Sequence, residues 1–278
     1  MSEHDVIKKT RVPVTIKSLK SELATLGVRP GMVLLVHSSM SALGWICGGS
    51  VAVIQALQEV LGPDGTLIMP SFTGGLTDPK NWRHPPVPED WKDTIRAETP
   101  AFDPLRSPTR GIGRIVETFR TWPGTVRSDH PHSSFCAWGQ QARSITDNHP
   151  LHNGMGEGSP LAKIHALDGW VLLLGVGFAN NSSLHLSEYR ADYPGKRSET
   201  NGSAMMVNGR RQWVPIRDLE LESEDFVAIG EHFMSETNAV RSGKVGESQS
   251  LLMSQRLLVD YGVDWMEGHR TAQTGAAD

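Results

Sequence analysis

The ten residues NNSSLHLSEY, Asn180 to Tyr189, place an imidazole, His185, three positions before a carboxylate, Glu188. The small polar residues ahead of the pair suit a helix start, and residues at i and i+3 of a helix share a face. A carboxylate on one ring nitrogen fixes the tautomer of a histidine and stabilises its protonated form, which is what a general base needs. A helix N-terminus disfavours the imidazolium and the carboxylate favours it, so the two fields together suit a base that is neutral near pH 7. Spacing alone fits a solvated helix carrying the same two residues at least as well. The decision rests on the rest of the chain.

Three other stretches hold groups able to do chemistry. HSSMS, from His37 to Ser41, follows the apolar run MVLLV and offers hydroxyls and backbone N–H groups at a strand end. Such a turn can cradle a carbonyl or an anion. It lacks the Gly-Lys-Ser/Thr ending of a P-loop and the Gly-x-Ser-x-Gly of a nucleophile elbow, and a plain helix-capping turn explains it more readily. VRSDHPHSSF crowds Arg127, Ser128, His130 and His132 into one short link, where Arg127 suits a phosphate. None of the 11 histidines forms a His-x-x-x-His pair and neither Cys47 nor Cys136 sits in a Cys-x-x-Cys, so no metal is expected. Five acids complete the set: Asp78, Glu98 and Asp103 in a Pro-rich stretch, and Asp218 and Glu220 in RDLELE. They read as solvated residues unless the substrate is a polycation.

These groups need a scaffold. TIKSLKSELATLGVRPG has helical spacing with Gly27 as its stop, MVLLV is a buried strand, SVAVIQALQEVLG is amphipathic, and TLIM is a second buried strand after a Pro-Asp-Gly turn. That order predicts an α/β fold with a mixed, partly parallel sheet flanked by helices. From Pro70 to Ser107 the periodicity dissolves into a segment with seven prolines before position 105, together with Trp82 and Trp91. It reads as an ordered lid insertion over about 70–107. SPTRGIGRIVETFRTWPG predicts a helix capped by Ser107 with Pro108 in its first turn. SSFCAWG and WVLLLGVG are strands, and SPLAKIHALDG is a helix starting at Ser159. SAMMVNGRRQWVPI holds the Asn-Gly of a hairpin turn. SEDFVAIGEHFMSE and SQSLLMSQRLLVDYG read as two C-terminal helices, before a fraying tail from about Glu267. Residues 1–278 read as one domain.

Composition sets limits. A net charge of −4 gives no basic stripe for nucleic acid. No apolar run approaches the ~20 residues that span a bilayer, and MSEHDVIKKT has no signal-peptide core. A soluble cytoplasmic protein is expected, with no nucleic-acid or membrane partner.

Five collinear blocks carry a family resemblance: LGVRPGMVLLVHSSMSALGWICGG, LGPDGTLIMPSFTG, AFDPLRSPTRGIGRIVETFRTWPG, VRSDHPHSSFCAWG and SPLAKIHALDGWVLLLGVGFANNSSLHLSEYR. Together they resemble the aminoglycoside 3-N-acetyltransferase family over nearly the whole chain to about Asp264. The resemblance implies an α/β fold distinct from the common N-acetyltransferase fold. It implies acetyl transfer from acetyl-coenzyme A to the 3-amino group of a 2-deoxystreptamine aminoglycoside, hence antibiotic resistance. It implies His185 and Glu188 as the catalytic pair, and His37, Ser38, Ser39 and Met40 along the pantetheine and thioester. Arg127, Ser128 and His130 would lie near the coenzyme phosphates. Asp78 and Glu98 would meet the drug's amines, with Asp103, Asp218 and Glu220 as further candidates. The chain departs from the commoner pattern at GFANNSS, where Phe178, Ala179 and Asn180 stand in place of a His-Asp or Thr-Asp pair; this puts the range of drugs in question. Two rival readings stay open: the same chemistry on a different amine, and a hydrolase using Ser39 or Cys136 as nucleophile. The oligomeric state is not legible.

Overall fold

The structure, a computed structural model, describes residues 2–270. A short helix α1 (Glu3–Lys9) precedes α2 (Ile16–Leu26), which Gly27 ends in the left-handed conformation at φ 113°. Strand β1 (Val33–Ser38), helix α3 (Gly49–Leu61) and strand β2 (Thr66–Pro70) follow. Three 3₁₀ turns and the helix α4 (Lys92–Glu98) occupy the Pro-rich insertion. Next come α5 (Arg114–Arg120), β3 (Val126–Arg127), β4 (Phe135–Gly139), α6 (Ala142–Thr146), α7 (Pro160–Ala166), β5 (Trp170–Leu174) and α8 (Ser183–Arg190). The last part is the hairpin β6 (Ser198–Val207) and β7 (Arg210–Leu219), then α9 (Phe226–Glu236), β8 (Val240–Val245), β9 (Ser248–Ser254) and α10 (Gln255–His269).

The main sheet runs β3-β4-β2-β1-β5-β9-β8. Only β1 pairs in parallel, with β2 on one side and β5 on the other; every other pairing in it is antiparallel. The fold is the mixed α/β type that the strand–helix–strand order predicts. Alternation along the strands feeds two cores. Leu34, Val36, Leu67, Met69, Leu172 and Leu174 pack with α2, α3 and α5 on one face. Leu35, Ile68, Val171 and Leu173 pack with the helices α6 to α10 on the other. Because both faces are covered, the central strands read as unbroken apolar runs.

Three sequence expectations need correction. The stretch SPTRGIGR is not helical: α5 starts at Arg114, with Gly111 at φ 77° and Gly113 at φ 90°, and no side chain caps it. Two glycines in the left-handed region outweigh the Ser-Pro start signal. SQSLLMS is a strand and not a helix. It pairs with β5 along Ser250 to Ser254 and leaves only its C-terminal half to α10, whose N-cap is Ser254. A short apolar run fits either state by periodicity, and the open edge of β5 decides it. Helix α10 also carries through Glu267 to His269, while residues 271–278 of the expected fraying tail lie outside those described.

The insertion is ordered by the hairpin. Phe102 N–H donates to Ala204 O at 2.8 Å, Lys80 Nζ to Thr200 O at 2.8 Å, and Arg211 Nε to Thr99 O at 2.8 Å. Of its two tryptophans, Trp82 is packed and bonds Thr77 through its indole, whereas Trp91 is exposed. The hairpin turns at Asn208 (φ 50°) and Gly209 (φ 74°), the twist-matched geometry that Asn-Gly favours.

Candidate active site

Parallel pairing of β1 with β5 sets His37 opposite Leu173 and Ser38 opposite Leu174, so the turn after β1 and the turn after β5 emerge side by side. Ser39 N–H locks the two together by donating to Leu174 O at 3.0 Å. Ligands of open α/β sheets bind beyond the carboxyl ends of such strands, where connections leave in different directions. Here a cleft of about 1120 Å³ opens between them. Its floor is His37, Ser38, Ser39 and Met40 from the end of β1, and Asn181, Ser182 and His185 from the start of α8.

Helix α8 is held from beneath by Leu184 and Leu186, both fully buried. The turn that launches it is anchored by Phe178, whose ring lies over Gly230 of α9; a Cβ on Gly230 would come within 2.0 Å of it. Phe178 is thus an apolar plug between the turn and α9. His185 Nδ1 meets Glu188 Oε2 at 2.5 Å, and its ring packs at 4.8 Å on Phe226. Glu188 is fully buried, and its other oxygen accepts from Glu222 N–H and Arg270 Nη1, each at 2.9 Å. A carboxylate on Nδ1 puts the ring proton there and leaves the Nε2 lone pair free. His185 lines the cleft, so this lone pair belongs to the cleft side of the molecule. Burial pushes His37 down to about 3, with His185 adding to the effect, so His37 is neutral at physiological pH. His37 Nε2, Ser38 Oγ and Asn181 Nδ2 are buried without a protein partner.

The RSDHPH link lies elsewhere. Arg127 does not line the cleft; its guanidinium donates to Ser71 O at 2.6 Å, Ser107 O at 2.5 Å and Ser134 Oγ at 3.0 Å. Ser128 and His130 are buried and also outside the cleft. Ser128 bonds Phe135 N–H and His149, and His130 Nδ1 accepts from His132 N–H and Ser133 N–H. Through these bonds the three residues brace loops. Two arginines that the motifs did not single out do line the cleft: Arg110 and Arg114, both exposed. The signal was present in TRGIGR, where glycines break the helix and free two cations, but a helical reading hid it.

None of the five acids lines the cleft. Burial pushes Asp78 up, yet hydrogen bonds from Arg96 and Lys80 N–H overrule it and hold the carboxyl below its ordinary value. Asp103 caps its own turn through Leu105 N–H and Arg106 N–H, and Glu98 is exposed at the end of α4. Asp218 takes Tyr189 Oη–H at 2.6 Å and Gly154 N–H at 2.8 Å, and Glu220 pairs with Arg197. Glu199, opposite Asp218 in the hairpin, is pushed up first by burial and then by Glu220. Sequence reading missed it because it lies outside any motif. Among the described residues no group of three or more His, Cys, Asp or Glu is arranged to hold a metal ion, and no helix is long and apolar enough to cross a membrane.

Over residues 35–267 the chain matches the family model described as aminoglycoside 3-N-acetyltransferase. It belongs to the aminoglycoside 3-N-acetyltransferase family. It is 43% identical over 261 residues to the SPbeta prophage-derived aminoglycoside N(3')-acetyltransferase-like protein YokD of Bacillus subtilis (strain 168), covering 94% of this chain and 95% of that one. The crystal structure of YokD superposes with a TM-score of 0.93, at 42% identity and with 96% and 98% of the two chains covered. AAC-IIIb, solved as a binary complex with CoASH, is 32% identical with a TM-score of 0.83 over 95% of this chain and 100% of its own. AAC-VIa, solved bound to sisomicin, is 29% identical with a TM-score of 0.83 over 94% and 100%. In this member of the family three buried histidines make folding depend on pH. Burial holds His37 at about 3, His130 at about 2 and His149 at about 4. An unfolded chain takes up these protons near 6.5 and the folded one does not, so the stability they allow is present above about pH 6.5 and falls as pH drops below it. Each histidine contributes a slope of up to about 1.4 kcal/mol per pH unit. The melting temperature is expected to fall steadily from pH 7 to pH 5; a flat profile would contradict the burial of these rings.

Proposed function

We propose that the cleft binds acetyl-coenzyme A and that His185, oriented by Glu188, takes a proton from the 3-amino group of a 2-deoxystreptamine aminoglycoside, an activity that confers resistance. The observation that carries this is the bond from His185 Nδ1 to the buried carboxylate, which leaves a free lone pair beside the β1 turn. The coenzyme-bound and sisomicin-bound relatives support the two ligand classes. A drug amine first gives up its ammonium proton to solvent. Its nitrogen then attacks the thioester carbonyl, forming C–N as one of its two protons passes to His185 Nε2 and the other stays on the amide. Charge develops on the carbonyl oxygen, which the Ser39 hydroxyl on the cleft floor would stabilise. The C–S bond breaks, and the leaving thiolate takes the proton from the imidazolium. The products are an amide and coenzyme A.

The rest of the cleft supports the same reading. Arg110 and Arg114 would meet the coenzyme phosphates, facing Gly49 at the uncapped N-terminus of α3 across the cleft. The pantetheine would run along His37 to Met40. Asp218 and Glu199 would draw the polycationic drug to the hairpin side, whereas Asp78 and Glu220 already have their counter-charges in Arg96 and Arg197. A hydrolase reading loses its second nucleophile, because Cys136 is fully buried and its thiol is pushed up to about 11 by burial. Arg110→Ala/Arg114→Ala is expected to weaken coenzyme A binding about tenfold or more by calorimetry, less so at high salt, with the drug KM within about twofold. Unchanged coenzyme affinity would remove these arginines from the site. Initial-velocity lines that intersect are expected of direct transfer between two bound substrates; parallel lines would point to an acyl-enzyme on Ser39.

A further inference from the structure

The residue that faces the far side of the catalytic carboxylate is Arg270, directly after α10 and beyond the 35–267 segment that matches the family model. Its side chain is 9% exposed. One nitrogen meets Glu188 Oε1 at 2.9 Å, two others meet Asp225 at 2.7 Å and 2.8 Å, and Nη2 also donates to Glu222 O at 3.0 Å. The plane lies 4.7 Å over the Tyr193 ring.

We propose that Arg270 is a positioning residue for the acid–base pair, holding Glu188 charged and fixed while offsetting part of its pull on the imidazole. This rests on the reading of His185 as the base. The charge argument is short. Arg270 is one positive charge set against two carboxylates, Glu188 and Asp225, so with it in place protonating His185 relieves less negative charge. Without it both carboxylates stand unopposed, and protonating His185 relieves more. The Arg270 charge therefore works against a second positive charge on the ring, whose neutral form is the one able to accept a proton. An arginine suits this task because it stays charged under all ordinary conditions.

Other charged or titratable groups facing the pair come from four sides. They are His37 on β1, Tyr189 on α8, Tyr193 and Lys196 in the link after it, and Glu222 and Asp225 ahead of α9. Glu267 on α10 stands further out, accepting from Asp192 N–H. His37 is held neutral, and both tyrosines are pushed above their ordinary value by burial first. Lys196 Nζ is tied to Tyr189 O and Ala191 O, leaving Arg270 as the one cation in direct contact with Glu188 among the described residues.

The test is the acid limb of the kcat/KM profile, with one aminoglycoside throughout so that the amine's own titration is common to all variants. Arg270→Gln is expected to move the limb up by about one pH unit, with KM for acetyl-coenzyme A within about twofold. Arg270→Lys should restore most of the shift. Asp225→Asn removes a competing negative charge at a partly exposed position, so it should move the limb the opposite way, to lower pH. That variant decides the matter even if Arg270→Gln fails to fold. A limb that stays put in Asp225→Asn, or in a folded Arg270→Gln, would overturn the inference and leave Arg270 a strut. His185→Ala run alongside separates the two readings: if it keeps near-normal turnover, the base assignment fails and not Arg270 alone.

Discussion

His185→Ala is expected to lower kcat by about 10²–10⁴, the usual worth of a positioned general base, with the coenzyme affinity and the fold retained. The ring faces the cleft and contributes one contact to Phe226, so its loss opens space without exposing the core. Glu188→Gln should cost less in rate, since an amide can still accept from Nδ1–H but cannot stabilise the imidazolium. It should cost more in stability, because it strands Arg270 beside a neutral side chain in a buried site. The double variant should be little slower than His185→Ala alone, as an orienter without its base is idle. Steady-state rates on the four proteins, with melting curves as a check, measure this. Additive losses would mean that the two residues act separately.

The second large effect is on folding. Arg127→Ala is expected to destabilise the protein by about 2–3 kcal/mol, because it strands carbonyls and a hydroxyl that the guanidinium satisfies. Its guanidinium satisfies carbonyls of Ser71, Ser107 and Pro104 at once, pinning the insertion and the strand end of β2 to β4. Burial pushes its own value down, yet an arginine retains its charge there. Coenzyme A affinity of the folded fraction should be unchanged. Denaturant unfolding with calorimetry separates the two quantities, and a stable protein with weakened coenzyme binding would return Arg127 to the phosphate role that its motif suggests.

The contrast between Arg127 and Arg110 shows what the sequence carries. His185 and Glu188 were legible because helix geometry converts an i, i+3 spacing into a contact, here 2.5 Å. The HSSM turn was legible because a buried strand such as Val33–Ser38 must end where a sheet opens. Whether an arginine faces a cleft or a set of carbonyls depends on loops brought together across the chain: Ser71 is 56 positions from Arg127. No local pattern encodes that. The same holds for Arg270, which reaches Glu188 over 82 positions, and for β9, whose strand state is set by pairing with β5. Asp78 and Glu220 look free in the sequence, and only tertiary structure brings them Arg96 and Arg197.

The most direct measurement is to incubate the chain with acetyl-coenzyme A and a panel of 2-deoxystreptamine aminoglycosides, follow thiol release, and locate the acetyl group by NMR. Thiol release that requires the drug, with the acetyl group on the 3-amino nitrogen and the rate collapsed in His185→Ala, is the expected result. Thiol release without any drug, acetylation at another nitrogen, or full turnover by His185→Ala would contradict it.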